Sequence, residues 1–210
     1  MWKSRFKKFG GPVIPDIIEY IKGYIEKEPG LTISIGCDSM QKRRSTTYAI
    51  TLMFYNKDIR NGAHVVFFRE THPKIRDIFE RLHKEAAYMH DIGMWLNDEL
   101  SKFYKRSDLD EWERKKYKYH MLKSDGTYPD LQPHQEENFI KMITLSPDEK
   151  EREYLNVDVH LDYNPFDGNG KNKSNMCFRT YVPWLRGCGF RVYCKNLSYA
   201  ATSAADLLLK

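Results

Sequence analysis

Hydrophobic residues follow two different periodicities along the first half of the chain. In "GGPVIPDIIEYIKGYIEKEPG", residues 10–30, isoleucines recur at helical spacing, which predicts a short helix that ends at the EPG tripeptide. Three runs rich in β-branched and aromatic residues follow, namely "LTISIGCD", "TTYAITLMFYN" and "AHVVFFRE". Such runs predict strands, and because turn-forming segments join them, we expect an antiparallel meander.

The first of these strands has two unlike faces. Its apolar residues alternate with small or polar ones, and the small or polar face carries Ser34, Gly36 and Asp38. Because side chains at Ser34 and Gly36 take little room, we expect a helix to pack closely over that face. Asp38 comes at the end of the strand and is followed by three consecutive cations, residues 42–44.

The second half of the chain alternates helices with strands around a charged segment. Apolar residues from Ile75 to Leu96 recur every three or four positions and predict a long amphipathic helix. Residues 101–153 are charge-dense and are interpreted as an insertion. Then come the strand "YLNVDVHLDYN", a helix in which Pro183 introduces a kink or marks a boundary, the strand "FRVYCKN", and a final helix that Ser198 caps. The order α-βββ-α-insertion-β-α-β-α predicts a mixed α/β sheet.

Composition indicates one folded domain with an insertion. The chain has 210 residues, of which 41% are hydrophobic, and no apolar run approaches the roughly 18 residues that a membrane span needs. Because the N-terminus also lacks the apolar stretch of a signal peptide, we expect a cytoplasmic protein without a membrane partner. Its four cysteines lack the pair spacing of metal ligands, which favours reduced, structural thiols. No glycine-rich nucleotide-binding motif occurs.

The positive charge is gathered in clusters. A net charge of +5 permits a polyanionic partner without requiring one. The clusters are Lys3, Arg5, Lys7 and Lys8, which are interleaved with Trp2, Phe6 and Phe9; Lys42, Arg43 and Arg44; residues 114–118; and Lys171 with Lys173. Cations contact phosphates and rings stack on bases, so these clusters suit nucleic acid. A solvated tail, turn or helix face is the alternative for each of them.

Four acidic residues occupy comparable places in the predicted elements. Asp38 and Asp162 end the first and fourth strands, Asp206 lies in the last helix, and Glu85 lies in the long helix. A single aspartate at a strand end is usually a turn former or a helix cap. Several carboxylates at one sheet edge repel one another unless cations neutralise them, and an all-oxygen site suits Mg²⁺ or Mn²⁺. Two such ions can hold a scissile phosphate between them.

The stretches "IGCDS", "VHLDYN" and "GCGFRVYCKNLSYAATSAADLLLK" resemble the YkuK-type family of the ribonuclease-H-like superfamily. The resemblance covers residues 31–100 and 154–210, which would form the ribonuclease-H-like domain. It leaves residues 1–30 as an N-terminal arm with a short helix and the insertion, 101–153, unmatched. It implies a five-stranded mixed sheet with helices on both faces.

The resemblance also implies a site. Asp38, Glu85, Asp162 and Asp206 would bind divalent metal, with Asp38 bridging two ions and Glu85 completing the shell or positioning the water. Glu80 lies close enough along the helix to replace Glu85. His160 is a further candidate, either to orient a ligand or water or to pair with a carboxylate such as Asp158.

Two hypotheses for the function follow. The first is a metal-dependent nuclease that cleaves phosphodiester bonds in DNA or RNA by a two-metal mechanism, with the basic hairpin guiding phosphates. The second is a nucleic-acid-binding or assembly module that keeps the fold without catalysis. Two departures from the expected pattern count against catalysis, namely the apolar run Leu207 to Leu209 beside Asp206 and the long insertion. A structural domain unrelated to nucleic acid is a third possibility. The substrate and the oligomeric state are not specified by these residues.

Overall fold

The computed structural model describes residues 2–28, 31–55, 63–103, 157–165, 173–195, 197–198 and 200–209. The elements in chain order are β1 (Lys7–Lys8), α1 (Ile17–Lys27), β2 (Thr32–Gln41), β3 (Ser45–Tyr55), β4 (Ala63–Pro73), α2 (Ile78–Ser101), β5 (Asp158–His160), α3 (Ser174–Gly187), β6 (Val192–Tyr193), a π-helical segment (Ala200–Ala205) and α4 (Asp206–Leu209). This order confirms the predicted alternation of helices and strands and adds β1 before it.

The strands form one mixed sheet in the order β1-β4-β3-β2-β5-β6. β2, β3 and β4 pair antiparallel, as the predicted meander requires, whereas β5 pairs parallel to both β2 and β6. Five of the six strands therefore make the mixed sheet that the resemblance implies. The prediction of five strands missed β1, which adds to the edge of the sheet beside β4.

The two faces of the sheet are covered unequally. The larger apolar cluster joins one face to buried side chains of α1, α2 and α3, including Ile21, Met89 and Val182. The smaller cluster lies on the other face, where Leu208 and Leu209 of α4 pack against Ala49 and Phe67. Two of the three leucines that follow Asp206 thus serve as packing residues, while Leu207 is exposed. None of the described helices is long and apolar enough to cross a membrane.

Gly36 confirms the predicted close packing over the small face of β2. A Cβ atom added at Gly36 would lie 2.3 Å from the carbonyl carbon of Ala200, so no larger residue fits without movement of the backbone. The π-helical segment lies close enough to the sheet to contact β3 as well. There the Thr51 hydroxyl donates to the Ala200 carbonyl at 2.8 Å. The absent side chain therefore sets how close the C-terminal segment lies to the sheet.

The N-terminal arm belongs to the fold, so its interpretation as a solvated tail or a base-stacking arm was wrong for Trp2 and Phe6. Phe6 is fully buried, and the Trp2 ring stacks on Phe68 with centroids 5.9 Å apart. Arg5 forms an ion pair with Glu70 at 2.8 Å. Because β1 pairs with β4, the rings of Trp2 and Phe6 pack against the core, whereas Phe9 is exposed.

Several predicted boundaries differ from the structure. Pro183 lies inside α3 and marks no boundary. The final helix begins as the π-helical segment, and the Ser198 backbone carbonyl accepts from the Ala201 N–H at 3.0 Å. α2 begins at Ile78, after Ile75, because the Asp77 carboxylate caps it by accepting from the Glu80 N–H at 2.8 Å.

Some predictions fall on residues that the structure does not describe. The insertion predicted at 101–153 lies outside the described residues from position 104 onward, and so does the basic stretch 114–118. Lys171 and the turn between β3 and β4 are also outside them. The cysteines Cys37, Cys177 and Cys194 are described and buried, which confirms their predicted burial.

Candidate functional site

Strand pairing brings Asp38 next to Asp162. In the parallel pair of β2 and β5, Ser34 lies opposite Asp158 and Gly36 lies opposite His160. Asp38 and Asp162 each come two residues further along the chain. Asp162 follows the end of β5, whereas the prediction that Asp38 ends its strand was wrong, because β2 continues to Gln41 through its pairing with β3. Since side chains alternate across a strand, Asp38 shares the face of Gly36, against which the C-terminal segment packs.

Asp206 reaches the same face from the C-terminal segment. The backbone N–H of Ala200 donates to Nδ1 of His160 at 3.1 Å, and the Ala200 carbonyl accepts from Thr51. At the far end of the segment, the Arg69 guanidinium donates to the carbonyl of Leu208. Asp206, the first residue of α4, lies between these two anchored ends.

The protonation of Asp38 responds to burial and to the neighbouring acidic residues. The pKa of Asp38 is raised from 3.8 to about 6, first by burial and then by the negative charges of Asp162 and Asp206. The Ser39 N–H, which donates to Asp38 Oδ1 at 2.7 Å, and the nearby Arg81 oppose this rise. Asp162 and Asp206 therefore each lie within electrostatic range of Asp38, although they come from distant parts of the chain.

Glu85 approaches from the opposite face of β2. It is only 2% exposed, and its Oε1 accepts a hydrogen bond from the Ser39 hydroxyl at 2.5 Å. Burial raises its pKa well above the ordinary range of a glutamate, and the charge of Asp38 raises it further. Glu80, the alternative on the same helix, is exposed. Glu85 is therefore the glutamate of α2 that lies beside Asp38.

Three further residues at this site were missed by sequence reasoning. Arg81 lies one helical turn before Glu85, and its charge lowers the pKa of both Asp38 and Glu85. The Tyr48 hydroxyl is buried nearby, and Glu85 contributes to its raised pKa. Lys195 places its Nζ 3.7 Å from Asp162 Oδ1. Only Arg81 had a usable sequence signal, because residues four apart share a helix face.

His160 has a structural contact that bears on its predicted role. Because its Nδ1 accepts from the Ala200 N–H, the neutral ring carries its proton on Nε2. Asp158, the carboxylate proposed as its partner, forms a buried ion pair with Arg191 at 2.9 Å. His160 thus joins β5 to the C-terminal segment and thereby helps to place Asp206.

The predicted basic residues have different surroundings. Lys42, Arg43 and Arg44 are exposed at the turn between β2 and β3, beyond the same strand end as Asp38. Lys42 also lines a cavity of about 190 Å³ together with Leu208 and Leu209, so this residue lies on the side of the sheet that carries α4. Lys173 is exposed at the start of α3.

The fit of this site to a metal ion is partial. Carboxylate oxygens are the ligands that Mg²⁺ prefers, and the raised pKa of Asp38 indicates negative charge that protein cations only partly offset. Among the described residues, however, no group of three histidine, cysteine or acidic side chains is close enough to form a metal site as it stands. The donor chemistry fits a divalent ion, and the side chains would have to move together to bind it.

Comparison with known families matches residues 13–115 to the family described as Ribonuclease H-like. No curated protein and no solved structure matches the chain. The matched part contains β2, β3, β4 and α2, and with them Asp38 and Glu85. Asp162 and Asp206 lie beyond it, so their relation to the other two rests on the strand pairing and the electrostatic coupling described above.

Proposed function

We propose that this ribonuclease-H-like protein, which belongs to that family over residues 13–115, hydrolyses phosphodiester bonds of nucleic acid with the help of Mg²⁺ or Mn²⁺. The observation that carries the proposal is the coupling of Asp38 to Asp162 and Asp206 at the end of the sheet. An acidic group whose pKa is raised by burial and by neighbouring negative charge is costly to a fold and is typical of functional sites. A divalent cation would remove that cost.

Asp38, Asp162 and Asp206 are the residues that would hold the ions, with Asp38 between the two. When bound, two divalent ions supply an activated water and a Lewis acid for the leaving oxygen. Asp38 is suited to the central position because it is half-buried and has carboxylates of two other elements beside it. The Ser39 N–H fixes one of its oxygens and leaves the other for a ligand.

Glu85 takes a different part in this proposal. Its carboxyl is buried behind Ser39, and burial raises its pKa, which favours the protonated form relative to an exposed glutamate. We therefore assign Glu85 the role of holding Ser39 and, through it, the strand end at Asp38. Arg81 neutralises part of the negative charge of the site before any ion binds, since it acts on both Asp38 and Glu85.

A second candidate function is a nucleic-acid-binding module without catalysis. One observation favours it, namely that no set of three ligands in the described part of the chain is assembled for a metal ion. Lys195 and Arg81 also supply positive charge beside the carboxylates, which stabilises them without an ion. The two candidates differ in whether the protein cleaves nucleic acid.

The test is an assay with single-stranded, duplex and hybrid DNA and RNA in Mg²⁺ or Mn²⁺. We expect the wild type to cleave at least one substrate, EDTA to stop cleavage, and Asp38→Asn to lose activity at least 100-fold. Asp98→Asn is the matched control, because it makes the same substitution at an exposed aspartate near the other end of α2. No cleavage by the wild type, or equal cleavage by Asp38→Asn, would overturn the proposal and favour the second candidate.

A further inference from the structure

A basic groove lies where β4 leads into α2, on a segment to which no role has been assigned above. The groove has a volume of about 570 Å³ and is open to solvent. Its lining includes the cations Lys74, Arg76 and Lys84, opposed by Asp77 and Glu80. The Asp77 carboxylate already accepts from the Glu80 N–H as the cap of α2, so its charge is partly engaged by the helix N-terminus. Positive charge therefore predominates along the groove.

The groove continues into the basic turn between β2 and β3. Ser45, the first residue of β3, pairs with Pro73, the last residue of β4, so the two segments leave the sheet side by side. Two hydrogen bonds at Ile75 fasten them together. The Ile75 N–H donates to the Thr46 hydroxyl at 2.9 Å, and the Gln41 side-chain amide donates to the Ile75 carbonyl.

The cations of the groove lie on either side of a residue that packs against the core. Ile75 is partly buried and packs against the larger apolar cluster. Its neighbours Lys74 and Arg76 are exposed on either side of it. From α2, the Lys84 ammonium donates to Nδ1 of His72 at 3.2 Å, which holds its charge at the wall of the groove. Hydrogen bonds at Ile75 therefore hold the backbone that carries Lys74 and Arg76, and the contact with His72 holds Lys84.

We propose that this groove and the adjacent turn, residues 42–44, hold the phosphodiester backbone of a nucleic acid strand. The six cations lie along the turn, the connection between β4 and α2, and α2 itself instead of converging on one point, which suits a row of phosphates better than a single small anion. Asp38 lies three residues before Gln41, and Glu85 follows Lys84, so a strand in the groove runs past the end of the sheet that carries the carboxylates. This inference extends the proposed function. It rests on that function for the expectation that the bound nucleic acid passes the carboxylates.

Binding is measured by fluorescence anisotropy with labelled single-stranded DNA and RNA of one sequence and with the corresponding duplex, all in EDTA. The test variant is Lys74→Gln/Arg76→Gln/Lys84→Gln. The matched control is Lys22→Gln/Lys27→Gln/Lys102→Gln, which removes three cations on α1 and at the other end of α2. Far-UV circular dichroism checks that both variants are folded.

Each phosphate contact contributes about 0.7 to the slope of log K against log salt for single strands, so the test variant should lower that slope by about 2. The control should leave the slope unchanged. Equal slopes for the wild type and the test variant would overturn the groove proposal. An equally large decrease of the slope in the control would overturn it as well.

Because EDTA prevents hydrolysis, this result is independent of the cleavage assay. If the wild type binds through the groove cations but does not cleave, the groove proposal stands and the nuclease proposal is overturned. If the wild type cleaves but its binding does not depend on the groove cations, the nuclease proposal stands and the groove proposal is overturned.

Discussion

Two faces of one strand, β2, hold acidic residues by different means. On one face, the 24-residue helix α2 packs through a long apolar stripe and carries Glu85, which is buried beside the Ser39 hydroxyl. On the other face, a six-residue π-helical segment and a four-residue helix carry Asp206. This short segment depends on hydrogen bonds to Thr51, His160 and Arg69 as well as on a small apolar cluster.

The difference shows which part of the site is more vulnerable. Apolar burial over many turns makes α2 insensitive to the loss of any one polar contact. The C-terminal segment is too short to fold alone, so its position is set by a few contacts with the sheet. We therefore expect substitutions under the C-terminal segment to displace Asp206 while leaving Glu85 in place.

Gly36→Ala should have the largest effect on stability. The new Cβ would lie 2.3 Å from the backbone of Ala200, and backbone cannot turn aside as a side chain can. We expect a loss of about 3 kcal/mol or more in the free energy of unfolding, measured by urea denaturation. Faster proteolysis of the C-terminus should accompany it.

Gly23→Ala provides the matched control, because a Cβ at Gly23 meets nothing within 4 Å. Within α1, alanine should stabilise the protein by about 0.5–1 kcal/mol. Similar stabilities for the two variants would contradict the close packing of the C-terminal segment on β2.

Asp38→Asn should stabilise the protein by an amount that depends on pH. The folded-state pKa of Asp38 is raised from 3.8 to about 6 by burial and by its acidic neighbours. Between these values the folded protein binds more protons than the unfolded chain, so wild-type stability decreases as pH rises. Asparagine removes this dependence.

We expect the gain from Asp38→Asn to increase from about pH 4 to about pH 6 and to reach roughly 2–3 kcal/mol above that. Urea denaturation at several pH values in EDTA measures it. A gain that stays constant over this range would show that Asp38 does not carry the raised pKa.

Thr51→Val should have a smaller effect, confined to the C-terminal face. Valine keeps the shape of threonine but leaves the buried Ala200 carbonyl without its hydroxyl donor. The expected cost is about 1–2 kcal/mol in the free energy of unfolding. Thr32→Val, at a half-buried position at the start of β2, is the control and should change stability by less than about 0.5 kcal/mol. Equal costs for both would mean that this hydrogen bond does not hold the segment.

The sequence was most informative where residue size and alternation determine structure. The alternation in β2 to β4 predicted the meander, and the small residues Ser34 and Gly36 predicted the close approach of a helix. Phe6 and Trp2 were misread because their partners lie far along the chain, as the stacking of Trp2 on Phe68 illustrates. A two-residue strand such as β1 is also too short to give a periodic signal.

For the candidate site, the sequence supplied the acidic residues but not their arrangement. The register that brings Asp38 of β2 and Asp162, just after β5, to neighbouring positions depends on pairing between distant segments. The π-helical segment before Asp206 is joined to the sheet by Thr51, which lies 149 residues from its partner Ala200. The hydrogen bond between Ser39 and Glu85 likewise joins residues 46 positions apart. No local pattern encodes such contacts.

The most direct test of the account is whether Asp38 and Asp206, which come from distant parts of the chain, belong to one metal site. We propose isothermal titration of Mn²⁺ at pH 7.5 into the wild type, Asp38→Asn, Asp206→Asn and Glu80→Gln. The account predicts saturable binding by the wild type and by Glu80→Gln, at least 10-fold weaker binding by Asp206→Asn and still weaker binding by Asp38→Asn. Absence of binding by the wild type, or equal affinity in all four proteins, would contradict it.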